Sequence, residues 1–230
     1  MPPSATESTF EEATLQRLQA LGYRYLHGGT IDRPLQSVVL EDSLRAYLHR
    51  RYRHLPAAAI EQAVQRVSAP EGLTLDRRNL DFARLLREGY TVRYESQGED
   101  QFEHIHYADF EHPTLNEFLA VNQFTIDGHN TRRPDILIFL NGLPIVLFEL
   151  KSPWDEYVDV AGAFNQVGHY VVDIPRLFEF NTFCVVSDGN TTLHGTHEGS
   201  IEWYAPWKSI DGETVEANTT GSMKTLIEGL

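Results

Sequence analysis

The sequence predicts an α/β domain: a mixed β-sheet core flanked by helices, with a helical portion at its N-terminal end. Three observations predict it. Over about residues 1–89 the apolar residues recur mostly at helical spacing. From residue 90 onward the runs are short and alternate with polar residues, the period of strands. A helical stretch then separates two apolar strand runs, which marks at least one crossover and places the chain in the α/β or α+β class.

The elements follow in order. Residues 7–21 read as a helix, with Phe10, Leu15, Leu18 and Leu21 at helical spacing and Gly22 ending the run. Tyr23 to Leu26 is short and aromatic, a strand. Residues 41–54 and 57–67 read as two helices broken by Pro56, and residues 80–88 as a fourth stopped by Gly89. Tyr90–Tyr94 and Glu103–Tyr107 alternate like strands, and Phe118–Ile126 continues in that style. Two strands, Asp135–Phe139 and Ile145–Lys151, then flank Asn141-Gly142, a strong hairpin signal. Residues 160–171 read as a helix. Phe183–Ser187 is a buried strand turned by Asp188-Gly189-Asn190. From about Asp211 the chain is polar and weakly patterned.

Composition bounds the function. The 230 residues, 41% hydrophobic, suit one domain with a sizeable core. No stretch approaches the roughly 18 apolar residues that span a membrane, and Met1-Pro2-Pro3-Ser4 lacks the start of a signal peptide. The single cysteine, Cys184, excludes an internal disulfide and lies in an apolar run, which reads as buried and inert. A reducing cytoplasm is the expected setting. The net charge of -14 excludes the usual free-standing nucleic-acid binder, which is basic. If the chain acts on DNA, other components must supply the affinity. The stretch Thr220-Gly221-Ser222-Met223-Lys224-Thr225 is not a phosphate-binding loop, because Met223 and Asn218 stand where that loop needs glycines. No ATP site is expected in the chain.

The chemistry centres on Arg133-Pro134-Asp135, the hairpin, and Glu149-Leu150-Lys151. Alternation places Ile145, Leu147, Glu149 and Lys151 on one face of the second strand. An acid and a base on an otherwise apolar face are costly unless they are paired or bind a cation. Asp135 lies at the same end of the hairpin as Glu149. A tight two-residue Asn141-Gly142 loop would pair Asp135 with Phe148 and separate the carboxylates. A three-residue loop or one bulge would set Asp135 opposite Glu149, with Cβ atoms about 4.5–5.5 Å apart. The longer loop or a bulge is predicted, because a divalent cation between the two acids then relieves their repulsion. Mg²⁺ takes oxygen ligands, usually one or two carboxylates with waters and phosphate oxygens.

These residues, together with Asn122-Gln123-Phe124, Arg132-Arg133, Asn141-Gly142-Leu143-Pro144, Ala163-Phe164-Asn165-Gln166, Tyr170, Val186-Ser187-Asp188-Gly189 and Gly195-Thr196, resemble the N-terminal nuclease domain of the restriction (motor) subunit of type I restriction enzymes. That family belongs to the PD-(D/E)xK nucleases. The resemblance is dense from about Asn122 to Thr196 and thin before it.

The resemblance implies a restriction-endonuclease-like fold and Mg²⁺-dependent cleavage of double-stranded DNA, with Mn²⁺ able to substitute. It implies that Asp135 and Glu149 hold the metal, with the Leu150 carbonyl as a further ligand, and that Lys151 is the catalytic lysine. Gln166 and Tyr170, four apart on one helix face, would reach the site or the DNA backbone. Arg132 and Arg133 would steer a phosphate, or form a loop charge pair. Related nucleases bring an acid from the first helix, here Glu11 in preference to Glu7, while Glu12 points to solvent. His129 and His169 form no recognisable zinc set. The arginines at 45, 50, 51, 53, 77, 78, 84 and 87 read as a solvated helix surface rather than a DNA-facing strip, and Trp154 and Tyr157 as contacts to DNA or to a loop. The resemblance further implies an endonuclease domain over residues 1–210, helical to about 89 with a catalytic core over 90–200. Residues 211–230 would be a tail towards a translocase domain. The implied partners are DNA and the modification and specificity subunits of a type I complex. A repair or recombination nuclease of the same fold and an inactive metal-binding interaction module are the alternatives.

Overall fold

The computed structural model describes residues 7–151, 159–217 and 220–229. In chain order it contains helix α1 (Glu7–Ala20), strand β1 (Arg24–His27), helices α2 (Glu41–Arg51), α3 (Ala57–Ser68) and α4 (Leu75–Glu88), and strands β2 (Tyr90–Ser96) and β3 (Glu99–Ile105). Strands β4 (Phe118–Asn122), β5 (Ile126–Asp127), β6 (Thr131–Arg132), β7 (Ile136–Leu140) and β8 (Leu143–Leu150) follow. Helices α5 (Val160–Asp173) and α6 (Pro175–Phe178), strands β9 (Phe183–Ser187) and β10 (Thr192–Gly195), and helix α7 (Met223–Gly229) complete it.

Six strands form one sheet in the order β1-β4-β7-β8-β9-β10. The pairs β1–β4 and β8–β9 are parallel and the others antiparallel. Helix α5 is the crossover that a parallel β8–β9 pair requires. The mixed sheet with helices on both faces agrees with the expected α/β class and with a restriction-endonuclease-like core. Apolar residues occupy both faces of the central strands, because both are covered. On one face Ala120, Ile136, Ile138, Val146, Phe148 and Leu150 pack with Leu15 and Leu18 of α1. On the other, Val121, Leu137, Phe139, Leu147 and Val186 pack with Ala163, Val167 and Tyr170 of α5 and with the N-terminal helices.

The hairpin register answers the question the sequence left open. The loop is the tight one: Leu140 pairs with Leu143, and Asn141 and Gly142 both have positive φ (52° and 91°). A bulge then intervenes, since Phe139 pairs with Pro144 but Ile138 pairs with Val146. Ile145, the extra residue, packs against both cores. Beyond the bulge Ile136 lies opposite Phe148, and one further step sets Asp135 opposite Glu149.

Other boundaries differ from the expectation for local reasons. Helix α4 begins at Leu75, five residues before the expected start, because the Thr74 side chain caps it by accepting from the Arg77 N–H. Strand β4 stops at Asn122, because Gln123 takes a left-handed conformation (φ 54°). Strands β2 and β3 form a separate two-stranded sheet rather than joining the main one. Their exposed polar positions, Arg93, Glu95 and Asp100 among them, are unsuited to a sheet covered on both faces. The segment expected as a tail contains α7, whose Met223, Leu226 and Ile227 are buried with α1 in the core. A helix of seven residues is too short to show a period.

Candidate active site

The ends of β7, β8 and β9 furthest from the hairpin turn gather the acidic and basic groups. Asp135 immediately precedes β7. Its carbonyl accepts from the Gln123 N–H (3.1 Å), and its carboxylate Oδ2 accepts from the Leu150 N–H (2.7 Å). The carboxylate thus takes the acceptor position of the next ladder bond. Glu149 is 2% exposed. Its Oε1 accepts from Lys151 Nζ at 2.7 Å, and the Lys151 side chain retains 20% exposure. Lys151 is fixed by its own N–H, which donates to the Ser187 carbonyl of β9 (2.8 Å). A bulge, a parallel neighbour and an aspartate replacing a strand residue together define this corner.

Helix α5 delivers Gln166 and Tyr170 to the same corner. The Tyr170 hydroxyl is buried and feels the charges of both Glu149 and Asp135, and Gln166 lies one helical turn before it on the same face of α5. Burial, followed by the charges of Glu149 and Asp135, pushes the Tyr170 hydroxyl well above its ordinary range, so it stays protonated. The start of α5 is tied to the sheet: Asp159 accepts from Gly162 N–H (3.1 Å), and Asp188 Oδ2 accepts from Val160 N–H (3.2 Å). Asp188 Oδ1 also accepts from the N–H groups of Asn190 and Thr191 (2.9 and 2.7 Å). The Ser187-Asp188-Gly189 segment therefore orients the helix that carries Tyr170.

Glu11 is buried and lies at this end of the sheet. Its two oxygens accept from Asn122 Nδ2 (2.7 Å) and Gln123 Nε2 (2.9 Å). Glu12 is exposed, as expected. The Glu7 side chain, Trp154 and Tyr157 lie outside the described residues.

The two arginines before Asp135 separate. Arg132 is engaged by Asp173, with Nε and NH2 both 2.6 Å from Oδ2, and is part of a structural contact rather than an open basic patch. Arg133 is exposed and makes no ion pair among the described residues. Asp173 itself is a residue that the sequence reading missed. Hydrogen bonds from Asn130 and then Arg132 hold its carboxyl below the usual carboxylate range, and its carbonyl accepts from His129 N–H (2.7 Å). An acid in the last turn of an otherwise apolar helix was the available signal, because that end of the dipole disfavours it unless a cation pairs with it.

The helix arginines are mostly structural. Arg45 pairs with Glu61, Arg51 with Asp109, Arg78 with Glu179 and Arg84 with Asp81. Cys184 is buried, which pushes its thiol up to about 12 and leaves it unreactive. Among the described residues, one group of three His, Asp or Glu side chains brings its donor atoms within 4.8 Å of one another: Asp76, His197 and Glu198. It lies at the start of α4, on elements that do not carry the Asp135–Glu149 corner. No helix among the described residues is long and apolar enough to cross a membrane.

The corner can hold a hard divalent cation. Its donors are carboxylate oxygens on facing strand ends, with a lysine beside them, and such donors suit Mg²⁺ or Mn²⁺ rather than a soft metal.

Comparison with known proteins shows the family of the chain. A family model described as the type I restriction enzyme R protein N terminus matches residues 4–201. The "Type I restriction enzyme HindI endonuclease subunit" of Haemophilus influenzae is 36% identical over 236 residues, covering 97% of this chain and 22% of that protein. The "Type I restriction enzyme SsaAORF53P endonuclease subunit" of Staphylococcus saprophyticus is 31% identical over 121 residues, 52% of this chain and 12% of that protein. The chain thus spans about a fifth (22%) of the length of the curated relatives it matches over most of its own length.

Proposed function

The chain belongs to the family of type I restriction enzyme R protein N termini, and from this membership we propose that it is the module that cuts double-stranded DNA in such an enzyme. The reaction is phosphodiester hydrolysis at the corner formed by Asp135, Glu149 and Lys151. The observation that carries the proposal is the register: the bulge at Ile145 sets Asp135 opposite Glu149, with Lys151 2.7 Å from Glu149.

Asp135 and Glu149 would hold Mg²⁺, or Mn²⁺ in its place. The cation, when bound, lowers the pKa of a water and stabilises charge developing on the phosphate. The Leu150 N–H faces Asp135, and in a strand the carbonyl of the same residue turns to the same side, so the Leu150 carbonyl is available as a further ligand. Lys151, partly exposed beside Glu149, is placed to orient a water or to neutralise the phosphate oxyanion. Tyr170, buried and protonated near Glu149, would orient that carboxylate once the site is loaded, with Gln166 beside it on the same helix face. Arg133, two residues before Asp135 and exposed, is the better placed of the two arginines to meet a DNA phosphate. Arg132 supports it by fixing the β5–β6 hairpin to α5. Glu11 contributes from the first helix through Asn122 and Gln123.

The acidic charge fits a division of labour. A module of net charge -14 is a poor DNA binder alone, so translocase domains and the specificity and modification subunits would deliver the substrate. The cell compartment proposed is the cytoplasm, where that DNA is met. The test is Asp135→Asn in the complete enzyme, assayed on double-stranded DNA with Mg²⁺. The proposal predicts loss of cutting while the enzyme still binds its DNA. Cutting at the wild-type rate would overturn it.

A further inference from the structure

The strand end opposite Asp135 carries a polar array that the cleavage reading leaves without a role. Strand β4 closes at Asn122, and Gln123 adopts φ 54°, a conformation disfavoured for residues with a Cβ. That turn gives Gln123 two bonds in different directions. Its N–H donates to the Asp135 carbonyl (3.1 Å), and its Nε2 donates to Glu11 Oε2 (2.9 Å). Asn122 Nδ2 takes the other Glu11 oxygen at 2.7 Å, and the Tyr25 hydroxyl donates to Asn122 Oδ1 at 3.0 Å, which fixes the direction of that amide. The loop after β1 presses on the same turn. A Cβ at Gly28 would lie 2.6 Å from the Gln123 carbonyl oxygen and 2.7 Å from Phe124 Cα, so only glycine allows this approach.

We infer that Gln123 is a positioning residue for cleavage, joining Glu11 of the first helix to the backbone that carries Asp135. The inference rests on the proposed site. Both oxygens of Glu11 accept amide N–H groups from the end of β4, so Glu11 acts as the anchor of that strand end and not as a metal ligand. A shift of Gln123 passes to the Asp135 carbonyl and from there to the carboxylate that accepts the Leu150 N–H.

The experiment uses the complete restriction enzyme containing this chain, with DNA cleavage and ATP hydrolysis followed together over a Mg²⁺ titration. Gln123→Glu replaces the Nε2 donor by a carboxylate oxygen facing Glu11. The expected result is cleavage slowed about 10–100-fold, as for residues that orient a metal's ligands, with a higher Mg²⁺ concentration for half-maximal cleavage and unchanged ATP hydrolysis. Adding Glu11→Gln restores a donor–acceptor pair with the roles exchanged, and should return both cleavage and the Mg²⁺ requirement towards wild type. Wild-type cleavage and Mg²⁺ dependence in Gln123→Glu would overturn the inference. A double variant as defective as Gln123→Glu would also overturn it, because the charge of Glu11 would then be needed at the metal itself. Lys151→Ala, run in parallel, separates the two claims. If Lys151→Ala still cuts, the site reading fails. If it does not cut while Gln123→Glu does, only the positioning role fails.

Discussion

Replacing Lys151 by methionine keeps the length of the side chain and removes the charge 2.7 Å from Glu149 Oε1. Glu149 is 2% exposed, so water compensates its carboxylate poorly. Breaking a fully buried ion pair by removing one partner costs about 3–5 kcal/mol. One feature lowers the figure here: the Lys151 side chain is 20% exposed, so solvent reaches the place of the ammonium group. The loss should be about 2–3 kcal/mol. At about 2–4 °C per kcal/mol for a chain of this size, Tm falls by about 4–12 °C. The assay is calorimetric unfolding at pH 7, with EDTA and again with Mg²⁺. A bound cation supplies the missing positive charge, so Mg²⁺ should raise the Tm of Lys151→Met more than that of wild type. Glu149→Gln combined with Lys151→Met removes both charges and should lie near the wild-type Tm, because a neutral pair of similar volume carries little penalty. Equal losses in the single and double variants would show that Glu149 and Lys151 are not coupled, and would refute the reasoning.

Tyr170→Phe removes the protonated hydroxyl near Glu149 while keeping the ring in the core; cleavage should fall about tenfold or more, with a stability loss of only about 1 kcal/mol, read from cleavage rates and urea unfolding. Asp173→Asn tests the hairpin anchor through pH. The folded carboxyl is held below its unfolded value, so its stabilisation is present above that value, near pH 4, and is lost as the pH falls towards the folded value. The Tm gap between wild type and Asp173→Asn should therefore be open at pH 7 and shrink below about pH 4; a gap that stays constant with pH would contradict the anchor. Asn141→Ala removes an amide that donates to the Tyr107 carbonyl and Asn116 Oδ1 and accepts from Glu117 N–H, at a residue with φ 52°. It should cost about 3 kcal/mol or more in urea unfolding.

Much of this was legible because strand patterning and charge act locally. An acid within Ile145-Val146-Leu147-Phe148-Glu149-Leu150 stands out against apolar neighbours whether or not the partner strand is known. The expectation that Asp135 and Glu149 share one cation needs them on one face, which a regular two-residue hairpin would forbid. The structure meets that constraint with a tight turn and a bulge at Ile145 together. Gln166 and Tyr170 share a helix face by spacing alone, and the structure turns that face to Glu149. What was not legible depends on distant contacts. Nothing near Arg132 announces Asp173, which lies 41 residues further along the chain. Nothing near Gln123 announces Glu11, 112 residues before it, or the left-handed turn that ends β4. Helix α7 was invisible because its few apolar residues gain meaning only against α1.

The most direct measurement is DNA cleavage by the complete enzyme carrying Lys151→Ala, with ATP hydrolysis followed in the same tube. The account predicts that cleavage is lost and ATP hydrolysis continues, which assigns the nuclease site to Asp135, Glu149 and Lys151 and the motor to other parts of the protein. Cleavage at the wild-type rate would contradict the account and move the nuclease chemistry away from this corner.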